Sequence, residues 1–320
     1  MNKKDKQEQK KILWTHNFPN NPGAGGVWMY NQYEFLKDQV DLYYLDRLRN
    51  PFQFIKHLYT LIKISQKYDI VHAQYGSAVG FLTSLMGGTK ILSLKGSDWY
   101  NAPNPSIFHK VRIFLGGLLT SFSIKRFHHI IVMSDAMKQQ VLAKFPNARV
   151  ETIVDPIDLK KFKAQAVPKK EDTKKVLFAS VDINSPIKQF PLAKKSFELL
   201  RKRIPNTELI TMSNIPHTEV CAFMNDMDVL LLTSTHEGWP NVVKEMLALD
   251  KPFVSTNVSD LEAIASKTNS CFVCKDDAEE LSKSLYKSLN APKENLRHLV
   301  KDFNMEESLA VIEKIYKRYL

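Results

Sequence analysis

Two glutamates eight residues apart, Glu237 and Glu245, close the segment Glu237-Gly238-Trp239-Pro240-Asn241-Val242-Val243-Lys244-Glu245. The apolar run Val229–Leu232 before it reads as a buried strand, and Thr233–Trp239 as the polar loop that follows. Pro240 then opens a helix, since the first helical position needs no N–H. Glu237 is thereby expected at the carboxyl end of a strand and Glu245 inside a helix. The free N–H groups near Asn241–Val243 face the same crevice and form an anion site. A loop acid, a helix acid and a helix start together suit a ligand that is part phosphate and part polyol. The helix start takes the phosphate, and the carboxylates accept hydrogen bonds from hydroxyls.

This segment, with its preceding strand and the following Lys251-Pro252-Phe253-Val254-Ser255-Thr256, resembles the E-x7-E motif of family 4 retaining glycosyltransferases, as found in bacterial polysaccharide biosynthesis. The resemblance implies a nucleoside-diphosphate sugar as donor, transfer with retention, and no resident cofactor or metal. It implies that Glu237 contacts the donor sugar near the reacting centre and that Glu245 holds the ribose hydroxyls. Gly238, Trp239, Pro240, Asn241 and Val242 would border the sugar and diphosphate. Lys188 matches the basic residue that neutralises the departing diphosphate, where developing charge needs a cation. Gly25 and Gly26, in Gly23-Ala24-Gly25-Gly26, match a glycine loop close to the donor; the run fails the dinucleotide fingerprint because its third glycine position is Trp28. Lys95-Gly96-Ser97-Asp98 resembles the H-G-S-D turn, and Ser134 a serine at a strand end.

Three positions depart from the pattern. Lys95 stands where the family has His, no Arg occurs near Ser180–Val181, and the P-N-G turn reads Val154-Asp155-Pro156. Two alternatives stay open on this ground: a catalytically inactive transferase-like binding subunit, and a nucleotide-sugar epimerase of the same fold.

The elements around these residues alternate between short β-branched runs and amphipathic helical patterns, the signature of parallel βαβ units. Strands are expected at Lys11–Asn17, Val40–Leu45, Asp69–Gln74, Lys90–Leu94, His129–Met133 and Val150–Val154. They resume at Val176–Ser180, Glu208–Met212, Asp228–Thr233, Pro252–Thr256 and Ser270–Cys274, after the Lys-rich linker Leu159–Lys175. The expectation is an α/β chain of GT-B type, two Rossmann-like domains facing across a cleft. Residues 1–165 would form the acceptor domain and 166–303 the donor domain. A last helix within 304–320 would return to the first domain.

Residues 1–165 carry 23 Lys and Arg against 12 Asp and Glu, so the whole net charge of +11 lies in this half. Such a surface attracts an anionic partner. An anionic saccharide or lipid-linked acceptor, or an anionic membrane surface, fits; RNA-binding aromatic strings and zinc-finger spacings are absent, so nucleic acid is not expected. The segment Ile107–Phe127, with Lys110, Arg112, Lys125 and Arg126, reads either as a membrane-surface helix or as a sheet-packing helix with a basic solvent face. The apolar run Ile113–Ile124 is shorter than the roughly 18 residues a bilayer needs. Met1–Lys10 lacks the apolar stretch of a signal peptide. A cytoplasmic protein, peripheral at the inner membrane face, is the expected location. The three cysteines and the Asp226-Met227-Asp228 triplet do not read as metal ligands.

Overall fold

The computed structural model describes residues 12–20, 26–99, 107–166, 173–213 and 215–320, with side chains of 107–113 excepted. Its first half builds β1 (Ile12–His16), α1 (Val27–Leu36), β2 (Val40–Tyr44), α2 (Pro51–Ser65), β3 (Ile70–Ala73) and α3 (Ser77–Ser84). Then follow β4 (Thr89–Ser93), α4 (Ile107–Ile124), β5 (His129–Val132), α5 (Asp135–Lys144) and β6 (Val150–Thr152). The six strands form one parallel sheet in the order β2-β1-β3-β4-β5-β6. Strand residues alternate between its faces. Leu13 joins Leu61 of α2, Leu82 of α3, Ile124 of α4 and Met137 of α5 in one core. Ile12 and Trp14 point the other way, onto Met29 and Leu36 of α1.

The second half contains β7 (Lys174–Ala179), α6 (Phe190–Arg201), β8 (Thr207–Met212), α7 (His217–Asn225), β9 (Val229–Leu232) and α8 (Asn241–Ala248). It continues through β10 (Phe253–Thr256), α9 (Leu261–Ala265), β11 (Phe272–Cys274), α10 (Ala278–Asn290), a 3-10 helix at Arg297–Phe303 and α11 (Met305–Lys317). Its parallel sheet runs β11-β10-β9-β7-β8. Val176 and Val254 face α6 and α10, whereas Leu177 and Phe253 face α7 and α8. That second face shares a continuous core with the Trp14 face of the first sheet. Each fully buried Leu, Ile or Met in it contributes roughly 1.5–3 kcal/mol.

The chain returns to the first sheet through α11. Trp14 donates its indole N–H to the Tyr316 hydroxyl at 2.8 Å, and His72 Nδ1 meets the same oxygen at 2.6 Å. Arg318 pairs with Glu151 at the far end of that helix.

Three local readings change. The expected linker is packed: Phe162 is buried, Lys161 and Gln165 bond to α7, and Lys174 and Lys175 already belong to β7. Pro240 caps α8 from outside with ψ 113° instead of occupying its first turn. Finally, the solvent face of α4 is not basic over its described side chains. Gly116 lets α4 sit close on Ser77 of α3, and Phe114, Leu115, Leu118 and Phe122 are left exposed.

Candidate functional site

In an open α/β sheet, ligands bind beyond the carboxyl ends of the strands where the winding reverses. In the second sheet that point lies between β7 and β9. A cleft of about 560 Å³ opens there, walled by Ser180–Asp182 after β7, Glu237–Val242 after β9, and Trp28, Lys95, Met133 and Asp155 from the first half. The loop before α6 is held against the end of β9: Thr233 Oγ1 donates to the Lys188 carbonyl at 2.7 Å, and Thr235 N–H donates to Ile187 O at 2.9 Å. This anchoring brings Lys188 Nζ onto Glu237 Oε1, which also accepts from Ser234 Oγ at 2.7 Å. A carboxylate at the strand end, a lysine and the start of α8 thus border one cavity.

Gly238 is required by a close approach between the halves. A Cβ there would stand 2.2 Å from Lys95 O, and one on Gly96, whose φ is 113°, would stand 2.6 Å from Gly238 N. The turn after β4 and the loop after β9 therefore touch backbone to backbone, which only glycine allows.

Glu245 lies one helical turn beyond Asn241, in a recess of about 170 Å³ that also touches Gly26, Trp28, Asp158 and His217. Trp28, His217 and Asn241 border both the recess and the main cleft. Burial pushes the Glu245 carboxyl up to about 7, against the pull of the Lys244 and Lys161 charges. Among the described residues no hydrogen-bond donor meets it, so its oxygens are available to a ligand.

Lys188, Glu237, Gly238, Trp239, Pro240, Asn241, Val242 and Lys95 all border the main cleft, and Glu245 and Gly26 the recess. Trp239 is mostly buried and packs edge-on against Phe303 at 5.1 Å, so only part of it faces the cavity. Ser134 does not border it: the residue is fully buried and caps α5, accepting from Met137 N–H at 3.2 Å. Gly25 lies outside the described residues. Asp226 and Asp228 both engage Lys175, through its ammonium and its N–H, which accounts for that triplet structurally.

Residue types alone missed two contributors, Asp155 and Lys244. Asp155 accepts from Lys95 Nζ at 2.6 Å and from Gln32 Nε2 at 3.0 Å, while its carbonyl accepts from Lys244. Lys244 is fully buried, and burial lowers its ammonium to about 8. Lys95 also lies over the Trp28 ring at 4.0 Å. The signal for the pair was the joint departure at Lys95 and Asp155; no residue pattern marked Lys244.

A second cavity of about 430 Å³ occupies the winding reversal of the first sheet, after β1 and β3. Asn17, Arg49, Tyr75, Ser97 and Trp99 line it, and the buried Asn17 Oδ1 has no hydrogen-bond partner.

This geometry belongs to a known class. Residues 23–161 match the family model described as Glycosyltransferase Family 4, and residues 174–291 match Glycosyl transferases group 1. Sucrose-phosphate synthase from Thermosynechococcus elongatus superposes with a TM-score of 0.76 at 14% identity, covering 97% of this chain and 98% of that one. HepE from Anabaena, solved with UDP and glucose, gives 0.67 at 11%, covering 96% and 100%. The lipopolysaccharide outer core galactosyltransferase WaaB gives 0.67 at 13%, covering 97% and 100%. No curated protein matches the chain by sequence. The chain is a glycosyltransferase of the GT-B fold, similar to family 4.

Proposed function

We propose that the protein is a retaining, metal-independent transferase that moves a hexose from a nucleoside-diphosphate sugar to a saccharide or lipid-linked acceptor in cell-surface polysaccharide synthesis. Residues 166–303 hold the donor and residues 1–165, closed by the returning α11, hold the acceptor. The observation that carries this reading is the convergence of Lys188, Glu237 and the α8 start on one cleft, with Glu245 in the adjoining recess.

In the reaction the bond from the anomeric carbon to the diphosphate oxygen breaks. Its electron pair leaves with the nucleoside diphosphate, and the acceptor oxygen bonds the anomeric carbon as its hydroxyl proton passes to the departing phosphate oxygen. Lys188 and the α8 N–H groups oppose the charge growing on the diphosphate. Glu237, already bonded to Lys188 and Ser234, orients the sugar, and Glu245 accepts from the ribose hydroxyls. The cytoplasmic membrane face is the working location, and the complex of HepE with UDP and glucose supports a donor of this chemistry.

The test is product analysis with a panel of nucleotide sugars and saccharide acceptors. Release of nucleoside diphosphate together with a linkage that keeps the donor's anomeric configuration by NMR is expected, with kcat lowered at least a hundredfold in Lys188→Ala, the scale of removing one charge-stabilising group. Donor isomerised without acceptor would assign an epimerase instead, and donor bound without any turnover an inactive subunit.

A further inference from the structure

The apolar residues of α2 extend beyond the face that packs on the sheet onto a neighbouring solvent face, and Gln53, Lys56, Thr60 and Lys63 make up its polar side. Leu61 is buried and Phe54, Leu58 and Ile64 pack against the core of the first sheet. Yet Phe52 is 83% exposed and Tyr59 70%, with Ile55 and Ile62 also in solvent. Their spacing of three, four and three residues sets all four on one outward stripe. Lys56 and Lys63, both exposed, run along its edge.

A second stripe lies on α4, where Phe114 is 65% exposed beside Leu115, Leu118 and Phe122. The two helices flank α3 on the same face of the sheet. Phe54 of α2 stacks on Phe81 of α3 at 6.2 Å, and Phe81 contacts Phe122 of α4 at 5.4 Å. Eight large apolar side chains on one face exceed the scattered exposure normal for a surface. No Asp or Glu occurs in α2, α3 or α4, whereas Lys125 and Arg126 follow α4 at once.

We infer that this face of α2 and α4 seats the protein on an anionic lipid bilayer. Apolar side chains enter the headgroup boundary, and the flanking cations meet the lipid phosphates. A second copy of the chain fits less well, because a two-fold contact would press one acid-free cationic face onto another. The cavity in the first sheet supports the choice. Leu48 and Arg49, just before α2, and Leu115, on the α4 stripe, all line it, so it opens at the edge of the lipid-facing surface. The inference rests on the proposed function only in making that cavity the seat of a membrane-borne acceptor.

Flotation of the full chain with phosphatidylcholine vesicles, with and without phosphatidylglycerol, tests it. Binding is expected only with phosphatidylglycerol and is expected to weaken with salt. Ile55→Ser/Tyr59→Ser and, separately, Lys56→Glu/Lys63→Glu are each expected to lower partitioning about tenfold or more, with circular dichroism unchanged. Failure of the wild type to float with anionic vesicles, or equal binding after both changes, overturns the assignment. So does a wild-type dimer that dissociates on Ile55→Ser/Tyr59→Ser, which would give the face to a second copy. Nucleotide affinity measured on the same samples stands apart: its absence would count against the donor cleft and leave the vesicle result intact.

Discussion

Lys95 and Asp155 each break the pattern that the rest of the chain follows, and the fold joins them at 2.6 Å with side chains only 10% and 11% exposed. A lysine that replaces His beside the donor cleft needs a counter-charge, and the aspartate that replaces Asn supplies it. Removing one partner of such a buried pair strands the other charge, at a cost of about 3 kcal/mol. Asp155→Asn is therefore expected to lower the urea midpoint at unchanged slope, and Lys95→His/Asp155→Asn to recover at least half of the loss. Additive losses in that cycle would show that the two residues are not coupled. Glu245 makes a second prediction at this scale. Its pKa, raised from 4.5 to about 7, means that the fold holds a proton the unfolded chain has released, so this group's contribution to stability falls as pH rises through that window. Ribose hydroxyls need the ionised acceptor. Nucleotide affinity is expected to rise about tenfold from pH 6 to pH 8, following the ionised fraction of a group with this pKa. Glu245→Gln should abolish the slope in calorimetric titrations; a slope that persists in that variant would assign it to another group.

At the scale of elements, Gly238 and Tyr316 carry the contacts that hold the halves in place. The Gly238→Ala methyl must displace the Lys95 carbonyl, so kcat/KM is expected to fall at least tenfold with the circular dichroism spectrum intact. Tyr316→Phe leaves the Trp14 indole N–H and His72 without their shared oxygen inside the core, which costs about 2 kcal/mol and is read as a lowered thermal midpoint. Every strand between β1 and β11 was legible, the buried β5 and β9 through their runs of Val, Ile and Leu and the partly exposed β2 and β8 through their place in the strand–helix alternation. The return of α11 followed from the resemblance and not from periodicity, since an apolar stripe does not name what it covers. Of the site, the motif after β9 carried its own placement. Ser134 did not, because a strand-end serine caps the next helix as readily as it faces a ligand.

For the whole molecule, charge and architecture divide along the same line. The net +11 belongs to residues 1–165, whereas the donor cleft recruits its cation, Lys188, from the electrically balanced second half. The sequence offered α4 as a membrane-surface helix, but the outward apolar stripe of α2 was not legible, because periodicity does not tell which side of a helix faces the sheet. The two winding reversals each open a cavity, one beside the Glu237 loop and one beside the lipid-facing helices. The proposed function would bring donor and acceptor from opposite sheets to the cleft between them. The most direct test of this account is calorimetric titration of wild type, Lys188→Ala and Glu245→Ala with UDP, GDP, ADP and dTDP, each with and without an attached sugar. One base is expected to bind the wild type and to lose at least tenfold in affinity in both variants. Absence of binding by every nucleotide, or equal affinity across the three proteins, would contradict the placement of the donor in this cleft.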